Sequence, residues 1–84
     1  MRVTTESGAV YEFRDLSAAG IQWVRRFAGA SVTYMRRDRA WVYVVQCDDI
    51  VVGKPMRLIL RGVAEAGDTL RVTTPVTQVT NTVN

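Results

Sequence analysis

The stretch ASVTYMRRDRAWVYVV, residues 30–45, decides how this chain is read. On either side of a charged centre (Arg36, Arg37, Asp38 and Arg39) lie β-branched and aromatic residues that suit a pleated surface better than a helix. A two-residue turn at Arg37-Asp38 would set Tyr34 across from Trp41 and Val32 across from Tyr43, a coherent aromatic face. A three-residue loop would instead pair Met35 with Trp41. Both make a hairpin, and the turn lacks the Asn-Gly or Asp-Gly pair that would choose between them.

Working outward, the opening MRVTTESGAVYEF also reads as a hairpin, and its register can be argued. A two-residue turn at Ser7-Gly8 would put Val3 opposite Glu12, mixing apolar and charged side chains on one face. A three-residue loop Glu6-Ser7-Gly8, with Gly8 left-handed, pairs Thr5 with Ala9 and Val3 with Tyr11, so that Met1, Val3, Tyr11 and Phe13 share a face.

Residues 15–28 are ambiguous. Leu16, Ala19, Gly20, Trp23, Val24 and Phe27 fall at helical spacing, with Asp15 placed as an N-cap and Gly29 just beyond, which admits a short helix. The interior Gly20 and the weak helix formers Ile21, Trp23, Val24 and Phe27 oppose it, so the preferred reading is a loop through Gly20 and a strand from Ile21 to Phe27.

Further on, Asp48-Asp49 opens a connection that Gly53-Lys54-Pro55 closes. MRLIL then alternates, with Met56, Leu58 and Leu60 on one side. The last segment sets Leu70, Val72, Thr74 and Val76 on one face with Arg71, Thr73 and Pro75 facing away. Val79 breaks that parity, which predicts a bulge near Thr77 and Gln78. Pro75 has no amide hydrogen to give a ladder, which predicts an edge strand, open to a partner over Val72–Val79, or a handover between sheets.

These signals predict an all-β fold of six or seven short strands, a small barrel or sandwich of the SH3-like or OB-like kind, with one domain over residues 1–79 and a frayed polar tail at 80–84. With 84 residues the chain hides roughly 60–65 % of its unfolded surface. Its core is therefore thin, and self-association would help it. No run of eighteen apolar residues and no charged-then-apolar leader occurs, so the expectation is a soluble, cytoplasmic protein.

The chemistry of catalysis is poorly supplied. The chain has no histidine and one cysteine, which removes the Ser-His and Cys-His constellations and the usual zinc sites. Cys47 reads as a small buried or half-buried residue with nothing to activate it. Gly53-Lys54 resembles the end of a phosphate-binding loop, but Pro55 stands where Ser or Thr is required. The carboxylates Glu6, Glu12, Asp15, Glu65 and Asp68 show no pairing that suggests acid-base work. No enzyme and no cofactor is expected.

What remains is a basic-aromatic constellation. Arg25, Arg26, Tyr34, Arg36, Arg37, Arg39, Trp41 and Tyr43, with Trp23 beside them, form a candidate interaction surface. Two readings compete with it. The aromatics can instead fill the core while the arginines are solvated residues that keep sheet edges apart. Alternatively, the surface stacks bases while its guanidiniums follow phosphates. The net charge of +3 is mild for nucleic acid. A protein partner or a second copy is the preferred expectation, since Trp and Arg most often dominate such interfaces.

The order of these signals, TTESGAVYEF, then RRDRAWVYV, VVGKPMRLIL and LRVTTPVTQV, resembles small all-β proteins of actinobacterial phages and prophages. The resemblance covers most of the chain as a pattern of turns and strands, and it implies a phage-encoded accessory protein without naming an activity. Arg39 stands where such proteins often carry glycine.

Overall fold

The computed structural model describes residues 1–17, 20–29, 35, 37–65 and 67–81. Among them the chain forms six strands and no helix: β1 (Arg2–Thr5), β2 (Val10–Ser17), β3 (Gly20–Phe27), β4 (Val42–Cys47), β5 (Pro55–Arg61) and β6 (Asp68–Thr80). Every strand pairs antiparallel with its neighbour in the chain, and β6 returns to β1 to close a barrel. Closure removes the free edges that a small sheet would otherwise offer to other chains.

The first hairpin has the register that apolar sorting demanded. Val3 pairs with Tyr11, the Thr5 amide donates to the Ala9 carbonyl at 3.0 Å, and Gly8 takes φ 92°, a conformation that only glycine adopts freely. Val3, Tyr11 and Phe13 are buried. Gly29 sits against this turn: a Cβ there would come within 2.8 Å of the Gly8 carbonyl oxygen, so the position is closed to any side chain.

The helix admitted within residues 15–28 is not what forms. β2 and β3 pair from Val10↔Phe27 to Ser17↔Gly20, with irregularities around Asp15. Period two wins because it sorts β3 into buried Val24 and Arg26 against half-buried Trp23, Arg25 and Phe27. Propensity agreed, since the aromatic and β-branched residues here were poor helix formers.

The hairpin expected about Arg37-Asp38 is corrected at its second strand. β4 pairs with β3 through Trp23↔Tyr43 and Val24↔Val42, and on its other side with β5 through Tyr43↔Arg61. Both ladder neighbours of Tyr43 are thus taken, and the partners proposed for this turn, Val32 and Tyr34, lie outside the described residues. The loop from Asp48 to Lys54 and the inward set Met56, Leu58 and Leu60 are as expected.

β6 is the long element, thirteen residues, and it carries two irregularities. From Val72 to Pro75 it takes three steps while β5 takes two from Arg57 to Pro55; from Val76 to Gln78 it takes two while β1 takes one from Thr5 to Thr4. The second lies where the broken parity of Val79 predicted it. Pro75 marks the handover: residues up to it pair with β5 and those beyond it with β1. The edge expected to be open over Val72–Val79 is therefore filled by β1 from Val76 onward, and the strand continues to Thr80, which pairs with Arg2.

The facing of β6 is the reverse of what its pattern suggested in the first half. Leu70 and Val72 point out, 55 % and 51 % exposed, while Arg71 and Thr73 are the more covered pair. Only after the first bulge does the apolar side turn inward, at Val76. The core comprises Val3, Tyr11, Phe13, Val24, Val42, Val44, Met56, Leu58, Leu60 and Val76, with Ala9 and Val63 beside them. No helix of the described residues is long and apolar enough to cross a membrane.

Gly29→Ala is expected to lower stability by about 1–3 kcal/mol, the usual cost of forcing atoms into an occupied space. Gly53 offers a control for glycine removal in general, since a Cβ there meets nothing. Thermal melts of the two variants check the difference in contacts, with Gly53→Ala bearing only the strain of its positive φ.

Candidate interaction surface

Alternation along β3 divides the sequence candidates between the two sides of the wall. Arg25 lies outside, where its Nε donates to Glu12 Oε1 at 2.6 Å and its guanidinium carbon lies 4.6 Å from the centre of the Trp41 ring and 5.1 Å from that of Phe27. Arg14, on β2, approaches Trp41 from 6.0 Å. Tyr43 meets Trp23 edge to face, centroids 5.6 Å apart and planes at 85°, and is overlain by Arg61 at 5.6 Å. Trp23, Trp41 and Tyr43 are absent from the core, whose aromatics are Tyr11 and Phe13. The outward reading of the basic-aromatic constellation is therefore the one this geometry supports.

Four arginines around this face are matched to three carboxylates. Glu12 receives Arg2 at 2.8 Å as well as Arg25, Arg57 faces Asp48 at 3.5 Å, and Arg61 faces Asp68 at 3.2 Å. Glu12 is held below the usual carboxylate range, first by the Arg2 hydrogen bond, against an opposing push from its own partial burial and with Arg25 adding to the lowering. Each pair is solvent-screened and contributes about 0–1 kcal/mol; each cation over a ring adds about 0.5–1 kcal/mol. Their joint effect is to hold rings and guanidiniums in one arrangement.

Arg26 is corrected: it does not belong to the surface. It points into the barrel and pairs with Asp38, Nη1 to Oδ2 at 2.7 Å, with side chains only 4 % and 5 % exposed. Asp38 Oδ2 also accepts from the Met35 amide at 2.9 Å, and the Arg39 amide donates to the Arg26 carbonyl at 2.9 Å. The charged turn of residues 37–39 is thus pinned to β3. Arg37 and Arg39 both take φ 68°, the left-handed conformation that glycine adopts most readily. Their side chains are exposed. Arg26 Nε and Asp38 Oδ1 are buried without a hydrogen-bond partner among the described residues. Tyr34 and Arg36 lie outside the described residues.

Sequence reasoning missed Asp38 as the mate of Arg26, and missed Arg14, Phe27 and Arg61 as parts of the outer lattice. Arg14 and Phe27 carried a signal, being on the outward parity of β2 and β3. Arg61 and Asp38 reach their partners only through barrel closure and turn geometry. Cys47 is half-buried as expected, its Sγ donating to the Asp48 carbonyl at 3.3 Å. Burial pushes its thiol up to about 11, with Asp48 and Asp49 adding to the effect. No family model, no curated protein and no solved structure matches the chain.

Asp38→Ala is expected to cost about 3–5 kcal/mol, because it strands the Arg26 guanidinium in the wall. The double variant Arg26→Met with Asp38→Leu should lose less than that single change, since apolar side chains of similar volume need no partners. Denaturant titration checks both. For Cys47, iodoacetamide at pH 8 should react more slowly than with free cysteine. Its raised thiol contributes stability that is intact below about pH 9.0 and fades as pH climbs through about 11, a loss that Cys47→Ser should remove.

Proposed function

We propose that this chain is a non-enzymatic protein-binding module that works through the outward aromatic-arginine face of β2–β5, with a second copy of itself as the partner. The observation that carries the reading is the position of Trp23, Trp41 and Tyr43 on the outside of a barrel whose thin core could have used them. Trp23 and Trp41 are half-buried there and Tyr43 is exposed, and large side chains on the outer side of a small barrel favour a contact surface. The apolar strip continues sideways through Val45, Leu70 and Val72, all exposed.

Charge favours protein over nucleic acid. Arg2 and Arg25 share Glu12, and Arg57 and Arg61 each face an aspartate, so three carboxylates offset much of the positive potential that these four arginines would offer a phosphate backbone. The same pairing lessens the repulsion between two copies of a chain whose net charge is +3. The resemblance to small phage and prophage proteins suggests an accessory protein, and a host protein is the other partner such a face would suit.

Sedimentation equilibrium tests this. The expected result is a concentration-dependent dimer, weakened in Trp41→Ala/Tyr43→Ala while the circular dichroism spectrum stays that of a folded barrel. A monomer at every concentration would overturn self-association. Tight oligonucleotide binding that falls steeply with salt would overturn the protein reading in favour of a nucleic-acid barrel.

A further inference from the structure

Two clefts share Met1 as a border and carry opposite charge. The first is walled by Arg2, Arg14, Arg25 and Glu12 beside the Trp41 ring, the second by Asp48 and Asp49 with Val45, Cys47 and Ile50. One carboxylate thus stands among three guanidiniums in the first, while no lysine or arginine of the described residues lines the second. Glu12 already serves both Arg2 and Arg25. Arg14 and Asp49 are exposed, and among the described residues neither belongs to an ion pair. Each cleft is therefore short of the charge that the other holds in excess.

The acidic side sits on a loop whose backbone is fixed. The Asp48 amide donates to the Arg57 carbonyl at 3.1 Å, the Lys54 amide to the Val51 carbonyl at 3.1 Å, and the Gly53 amide to the Val76 carbonyl at 2.8 Å. That frame holds Val51 and Val52 out in water, 46 % and 59 % exposed, two and three residues beyond Asp49. Lys54, at the far end of the loop, lines neither cleft. A loop held this way gives up little freedom on docking. Neighbouring patches of opposite sign suit a two-fold dimer, because an axis passing between them lays the acid of each copy over the base of the other.

We infer that the second copy docks about a two-fold axis near Met1, with Asp49 of each chain beside Arg14 of the other and with Val51 and Val52 against the Trp41 cleft. The inference rests on the self-association proposed above and gives it a register.

Sedimentation equilibrium of the full chain with two charge reversals, Asp49→Arg and Arg14→Asp, tests it. Each variant alone should dimerise about tenfold more weakly than the original chain, since like charges then meet at both symmetric contacts. Mixed in equal amounts, the two should associate about as tightly as the original, because each reversal then faces the other. Both side chains are exposed, so the circular dichroism spectra should be unchanged. Should either variant fail to fold, a salt series on the original chain carries the test, with the dimer weakening as salt rises. Dimerisation indifferent to both reversals and to salt, or a mixture no tighter than either variant alone, would overturn this docking and leave self-association through the aromatic face standing. A monomer at every concentration would overturn both; if that monomer binds poly-glutamate and Arg14→Asp abolishes the binding, the cleft serves a foreign acidic partner instead.

Discussion

The closure of the barrel by β6 is the constraint on which the rest of the molecule depends. One thirteen-residue strand pairs with β5 up to Pro75 and with β1 beyond it, and the extra residues on either side of that proline give the bend. Bulges increase local twist and re-aim side chains. Here they allow a strand that begins with its apolar residues outside to finish with Val76 fully inside, packed with Val3, Met56 and Leu58 in the core. Proline suits the crossing point because it has no amide hydrogen to lose.

Closure sorts every other strand into inside and outside, and the sorting is unusual in both directions. The inside holds an arginine-aspartate pair that is almost wholly buried. The desolvation of two charges is costly and is returned only when geometry and hydrogen bonding are complete, which they are not at Arg26 Nε and Asp38 Oδ1. What the pair does accomplish is positional. It draws the Arg37–Arg39 turn, with its two left-handed arginines, down onto β3 and so fixes where Trp41 enters the outer face.

The outside holds the aromatic side chains that a chain of this size would ordinarily bury. Trp23, Trp41 and Tyr43 rest instead beside arginines, of which Arg25 and Arg61 are matched to carboxylates, an arrangement that would limit the side-chain freedom lost on meeting a partner. A face that is apolar at its centre and charged at its rim is compatible with the protein contact we propose.

Much of the fold is written locally. The Gly8 loop, the inward set Met56, Leu58 and Leu60, and the bulge at Thr77 follow from alternation and from the few residues that tolerate special backbone angles, properties that act over two to five positions. The sequence by itself therefore determined that the chain is stranded, where most of its turns fall, and which residues are candidates for contact. Only the tertiary structure decided which side of β3 and of β6 faces in. Alternation defines two faces and is silent about which is wet: Arg25 and Arg26 look alike in the chain, and Leu70 looks like core. The choice was made by barrel closure and by the reach of Asp38, because burial is a property of the whole wall, felt between residues that lie far apart in the chain.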